Sequence, residues 1–311
     1  MGKAIREVYG EALVKYGKDD ERVVVLDADL SGSTKSGIFG KACPERFLNV
    51  GIAESNMVGM AAGLASVGKI PFVNTFTVFL TTLGLCAARA FGSYSQLPIK
   101  FAGAYGGMSD AFDGPSHHAL EDIAVMHSLA NMQVFVPCDA VQTEWLVKYA
   151  IDTPKPIYLR LSRDKFKDLY TSETEFAPGK GIVVREGTDI TVIACGLMVG
   201  NAIDAAEELA KEGISVRVVD MFSIKPIDEA LIVRCAEETG AIVSAEEHNI
   251  YGGLGSAVAE VLTKHGCGVT QGFVGVNDCH GECGPYKKLL AKYGLDANAI
   301  ANKVRETLAK K

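Results

Sequence analysis

The sequence has 311 residues, 48% of them hydrophobic and 22% charged, which is the balance of a folded globular chain long enough for two domains. A formal net charge of −7 and the lack of any Lys/Arg-rich run exclude a basic surface for nucleic acid or acidic membrane. No apolar run is long enough to span a bilayer, and residues 1–13 lack the apolar core of a signal peptide, so a cytoplasmic location is expected.

Residues 3–17 read as a helix with charges spaced along it, followed by Arg22-Val-Val-Val-Leu26, a run suited to a fully buried parallel strand. The run ends in Asp27-Ala-Asp29 and the polar turn Ser31-Gly-Ser33-Thr34. Ligands of open α/β sheets collect beyond the carboxyl ends of strands, so Asp29 and this turn stand where chemistry can happen; a solvated loop is the plainer alternative. Residues 46–65 form a short strand that turns at Gly51 into a helix of small and apolar residues. Glu54 is the single ionisable side chain of that helix and sits in its first turn. Gly59 and Gly63, one turn apart, permit close approach of a second helix.

Residues 70–76 are a further strand. Phe76 and Phe79 lie three apart at the start of a helical stretch running to about residue 91, and so share a face. Such a pair is either core or a platform for a flat cofactor ring. After a strand over 100–105 comes a glycine-rich polar loop, 106–118. Within it Asp113-Gly-Pro-Ser-His117 holds a carboxylate and an imidazole on a rigid turn, a candidate proton acceptor and donor if they are not plain surface residues. A helix from 120, a strand over 133–136, a helix around 144–150 and a strand over 157–161 continue the alternation. The pattern predicts an α/β fold with a parallel sheet covered on both faces.

The expected domains are 1–165 and 188–311, joined by a mixed-charge linker over 166–187. The second carries predicted strands over 189–195, 215–220 and 241–245 and helices over 199–212, 227–238 and 254–265. Its Tyr251-Gly-Gly-Leu-Gly-Ser256 turn lacks the third glycine of a dinucleotide fingerprint, although an anion could sit at that helix start. The eight cysteines fall mostly in apolar segments and, Cys279 and Cys283 excepted, read as reduced core residues. Cys279-His-Gly-Glu-Cys283 has no second ligand pair of the kind a structural zinc site uses, so no metal site is assigned.

Seven motifs follow one another in order: Arg6-Glu-Val-Tyr-Gly-Glu-Ala-Leu13, Leu26-Asp-Ala-Asp-Leu30, Asn49-Val-Gly-Ile-Ala-Glu54-Ser-Asn56, Asn74-Thr-Phe-Thr-Val-Phe79, Asp113-Gly-Pro-Ser-His117, Leu161-Ser-Arg163 and Glu246-Glu-His-Asn-Ile-Tyr-Gly-Gly-Leu-Gly255. Each is moderately specific, but the ordered set, covering nearly the whole chain, resembles the C-terminal portion of transketolase and in particular the separate C-terminal subunit of split transketolases.

The resemblance implies a pyrimidine-binding-type parallel-sheet domain for thiamine diphosphate, followed by a smaller α/β domain of the transketolase C-terminal type. It implies that Glu54 hydrogen-bonds the ring nitrogen of the cofactor's aminopyrimidine, a role that burial would support by favouring the protonated carboxyl. Phe79 would stack on the pyrimidine beside Phe76, with Asp29 also at the cofactor. Asp113 and His117 would contact acceptor and donor sugars, His117 with a catalytic part. Arg6, Ser33 and Arg163 would hold the sugar phosphate. Tyr105 stands where the family has a phosphate-binding histidine, so a difference in phosphate affinity or substrate preference is expected.

The family's Gly-Asp-Gly motif for diphosphate and metal does not occur in this sequence. The resemblance therefore implies a partner subunit that supplies it and binds Mg²⁺ or Ca²⁺, in an α2β2 assembly with the active site at the interface. The expected reaction is transfer of a two-carbon ketol unit from a ketose phosphate to an aldose phosphate. A 2-oxoacid dehydrogenase β subunit and a non-catalytic regulatory subunit of the same fold are the alternatives.

Overall fold

A computed structural model describes residues 2–311. The first six strands are β1 (Val23–Asp27), β2 (Phe47–Asn49), β3 (Ile70–Phe76), β4 (Lys100–Ala104), β5 (Gln133–Phe135) and β6 (Ile157–Leu161). They pair in parallel in the order β2-β1-β3-β4-β6-β5. Every residue of β1, β3, β4 and β6 is buried, because helices cover both faces. The first helix, Ile5–Gly17, turns Ile5, Tyr9 and Leu13 inward, where they share a cluster with Leu146, Val147 and Ala150 of the helix Ala140–Asp152.

The remaining strands are β7 (Ile182–Arg185), β8 (Ile190–Ala194), β9 (Val216–Asp220), β10 (Ser223–Lys225), β11 (Ala241–Asn249) and β12 (Thr270–Val276). Five of them form a second sheet ordered β12-β11-β8-β9-β7, parallel except for the β7–β9 pair. The sixth, β10, crosses to the first sheet and pairs antiparallel with β5. The two sheets are thus sewn together by a main-chain ladder. The α/β architecture with two mainly parallel sheets agrees with the sequence expectation.

Several details differ from it. The stretch expected to be linker contains β7, whose four residues are only half-buried. β12 and the helices Tyr286–Lys292 and Ala297–Leu308 continue the second domain beyond its predicted elements. The helical stretch after Phe76 is divided into Thr77–Thr82, Leu85–Ala87 and the wider-wound turn Ala88–Tyr94. The first piece ends as the N–H groups of Leu83 and Gly84 both return to the Phe79 carbonyl, at 2.9 and 3.1 Å. The helix start after Tyr251 already holds an anion of its own: Glu246 accepts from the N–H groups of Leu254 and Gly255 at 2.7 and 2.8 Å. Cys86 is exposed rather than core.

Candidate active site

Four neighbouring strands of the first sheet deliver side chains to one edge. Register pairs Asp27 with Asn74, Phe76 with Ala104 and Ala104 with Leu161, so the chain leaves β1, β3, β4 and β6 at similar heights. Phe76, Tyr105 and Arg163 therefore emerge beside one another. Asp27 fixes the turn beyond β1, accepting from Leu30 N–H at 2.6 Å and from the hydroxyls of Thr34 and Ser36 at 2.8 and 2.7 Å.

Glu54 opens the helix Glu54–Ser66 and is 3% exposed. Thr75 Oγ1 donates to its Oε1 at 3.2 Å, the one hydrogen bond its carboxyl makes among the described residues. The turn before it is held by Asn49, which donates to Asp29 Oδ1 at 2.9 Å and accepts from Gly51 N–H at 3.0 Å. Asp29 thus braces the approach to Glu54. Along the outer side of the helix Ile52, Asn56, Met60, Gly63 and Val67 recur every three or four residues and are all exposed, Ile52 at 82% and Val67 at 75%. A Cβ added at Gly59 or Gly63 would meet nothing within 4 Å.

The aromatic pair is real and has company. Phe76 and Phe79 stack with centroids 5.9 Å apart, and Phe76 lies 4.3 Å from Tyr105. His117 meets both phenylalanines edge-on, at 5.9 and 5.4 Å. Phe76 is buried, whereas Phe79 and His117 stay partly open.

Tyr105 joins this aromatic group to a cationic one. Its ring lies 5.1 Å from the Arg6 guanidinium carbon and 5.3 Å from that of Arg163. Arg6 Nη1 donates to the Tyr105 hydroxyl and, at 2.9 Å, to the Ser33 carbonyl; its Nε is buried without a partner. Ser33 thus presents backbone, rather than its hydroxyl, to Arg6. Arg163 Nη1 pairs with Asp110 at 2.9 Å. Burial pushes the Asp110 carboxyl up to about 6, helped by the Asp113 charge and opposed by Arg163 and His117. A cavity of about 350 Å³ opens against Arg6, Arg163, Ser109, Phe112, Lys165 and Tyr286.

The structure thus brings Arg6, Ser33, Phe76, Phe79, Tyr105, Asp113, His117 and Arg163 to one region and leaves Glu54 on the neighbouring helix. Sequence reasoning missed Thr75, Asp110 and a buried cluster behind the loop, in which Arg160 donates to Asp122 at 2.7 and 3.1 Å and to the Glu247 carbonyl at 2.8 Å. One signal was available: an arginine inside the apolar strand Ile157-Tyr-Leu-Arg-Leu161 needs a buried partner. The Cys279–Cys283 segment packs on the same loop. Gly284 N–H donates to the Ala111 carbonyl at 3.0 Å, and Gly114 and Gly281 lie tight against Cys283 and His118.

Fold and site together define a two-domain α/β chain with an aromatic cluster, a buried acid and a pair of guanidiniums at one sheet edge. The sequence matches the transketolase pyrimidine-binding domain over residues 1–168 and the transketolase C-terminal domain over 179–300. It is 41% identical over 310 residues to a putative transketolase C-terminal section of Methanocaldococcus jannaschii, covering 99% of this chain and 97% of that one. It is 38% identical over 307 residues to a 6-deoxy-6-sulfo-D-fructose transketolase subunit of Clostridium sp. MSTE9, covering 99% and 95%. A solved split-gene transketolase, described as an inactive β4 tetramer, superposes with a TM-score of 0.92 at 49% identity and 99% coverage of both chains. The chain belongs to the transketolase family, in its separate C-terminal subunit form.

Proposed function

We propose that this chain is the C-terminal subunit of a thiamine-diphosphate-dependent transketolase that moves a two-carbon ketol unit from a ketose phosphate to an aldose phosphate. The family implies thiamine diphosphate, and the donor set here suits its aminopyrimidine: a buried carboxyl with one oxygen engaged, beside a partly open phenylalanine. When bound, the cofactor supplies the nucleophile and electron sink for carbon–carbon bond exchange. Glu54 holds a proton at the pyrimidine ring nitrogen. Phe79, partly open and stacked on Phe76, would offer that ring an aromatic face and exclude water. His117, edge-on to both rings, binds the donor ketose, and Asp113 the hydroxyl beside the acceptor carbonyl. Arg6, Arg163 and Tyr105 hold the anion at the far end of the sugar.

The diphosphate and its Mg²⁺ or Ca²⁺ fall to a separate N-terminal subunit, because no Gly-Asp-Gly motif occurs in this sequence. The exposed stripe from Ile52 to Val67, starting beside Glu54, supports a packed subunit on that face and an active site between chains in an α2β2 assembly. The Clostridium relative is named for a sulfo-sugar; an anion end built from two guanidiniums and a phenol can accept sulfonate as well as phosphate, so the terminal anion is a variable of this site. Eight unpaired cysteines suit the cytoplasm, and no helix among the described residues is long and apolar enough to cross a membrane.

The observation that carries this reading is Glu54, buried at the start of a helix whose outer side exposes Met60 and the small residues Gly63 and Ser66. Glu54→Gln in the reconstituted pair should cost at least 100-fold in kcat while the melting temperature stays within a few degrees. Unchanged turnover would contradict the assignment.

A further inference from the structure

The second domain reaches the substrate loop through a buried carboxyl that none of the roles above uses. Glu247 lies near the end of β11, beyond the point where β11 last pairs with β8, and is 4% exposed. Its Oε1 accepts from the backbone N–H of Met108 at 2.7 Å and from the Tyr286 hydroxyl at 3.0 Å. Gly107, at φ +68°, brings the loop so near that a Cβ there would stand 2.3 Å from the Glu247 carboxyl carbon. Two main-chain bonds grip the same loop from the second domain, Gly284 N–H to the Ala111 carbonyl at 3.0 Å and Asn249 N–H to the Leu120 carbonyl at 2.7 Å. Met108 enters the segment carrying Asp110, Asp113 and His117.

We infer that Glu247 is a positioning residue of the reaction: through Met108 it sets the loop that presents Asp113 and His117 to the sugar. This rests on the transketolase reading above. The acceptor oxygen must reach across the domain boundary, and reach is what the geometry requires of this side chain. Both contacts need only an acceptor oxygen, and burial pushes the carboxyl up to about 7 despite Arg160, so its neutral form is populated near neutral pH. Glutamine keeps both the length and the acceptor oxygen, aspartate keeps the charge and loses the reach, and alanine loses both.

The test compares Glu247→Gln, Glu247→Asp and Glu247→Ala in the complex reconstituted with the partner subunit. Two-carbon transfer and thiamine diphosphate affinity are measured, together with amide exchange of a peptide covering residues 106–112. Aspartate and alanine should each lower kcat/KM at least tenfold and speed exchange of that peptide, with cofactor affinity within twofold. Glutamine should restore kcat/KM to within threefold and keep the protection. Aspartate near wild type with glutamine impaired would overturn the inference in favour of a charge-balancing role, and wild-type values for all three would overturn it by showing that the side chain does not act in the reaction. If the alanine variant does not fold, aspartate against glutamine still decides. Failure of the transketolase reading would appear as no transfer by the wild-type complex, while the exchange data would still report whether Glu247 holds the loop.

Discussion

Arg6 donates a hydrogen bond to the Tyr105 hydroxyl while its guanidinium carbon stands 5.1 Å from the centre of the same ring. The phenol oxygen thus accepts from a cation, which leaves its own proton to be donated to an anion beside Arg163. Tyr105→Phe keeps the ring between Phe76 and the two arginines but removes that donor. We expect KM for a phosphorylated substrate to rise about tenfold, the size of a hydrogen bond to a charged group, with kcat within twofold. Initial rates over a range of substrate concentrations check this; an unchanged KM would remove Tyr105 from the anion site.

Phe79 stacks on Phe76 and remains partly open. Phe79→Ala takes away the face proposed for the pyrimidine without touching the arginines. Affinity for thiamine diphosphate, titrated in the reconstituted complex, should fall about tenfold or more, as expected for losing an aromatic contact of about 1.5 kcal/mol or greater. The KM of the sugar phosphate should move less than threefold.

The stripe through Met60 and Val67 is exposed in this chain. Replacing Val67, which is 75% exposed, by Asp therefore removes little internal contact, and the isolated chain should melt within a few degrees of wild type. Association is a different matter, because a carboxylate on an apolar contact surface must be desolvated. Sedimentation of the mixed subunits should show the assembly weakened at least tenfold.

In the second domain, Asp220 accepts through Oδ2 from Gln142 at 2.8 Å and from the Tyr170 hydroxyl at 2.7 Å, and Oδ1 is buried without a partner. Burial pushes this carboxyl up to about 6 from its ordinary 3.8. The folded state therefore holds the proton more tightly than the unfolded one. The stability so contributed is full below pH 3.8 and is lost as pH rises through 6. Asp220→Asn has no such loss, so its melting temperature relative to wild type should climb between pH 4.5 and pH 8. The climb should be a few degrees, corresponding to about 2 kcal/mol. A difference that does not vary with pH would show that the carboxyl is already ionised at pH 4.5.

The central strands of the first sheet were legible because they are buried on both faces and carry runs of apolar residues, as in residues 23–26 and 70–73. The strands that escaped notice lack that signature. Ile182–Arg185 is half-buried at a sheet edge, and Ser223–Lys225 is three residues long and finds its partner in the other domain. At the site, Glu54 and the phenylalanines stood out as an acid and two rings among small residues. Thr75 and Asp110 did not, because their partners lie 21 and 53 positions away. Nor could sequence show that Asn49 would tie Asp29 to the turn before Glu54. Such contacts are set by strand register, which periodicity alone does not reveal.

The central claim is that this chain supplies one half of a shared active site. Two-carbon transfer should be measured for this chain alone, for a Gly-Asp-Gly-containing partner alone and for the mixture, each with thiamine diphosphate and Mg²⁺. The account predicts background rates for either chain by itself and full turnover on mixing. Full turnover by this chain alone would contradict it.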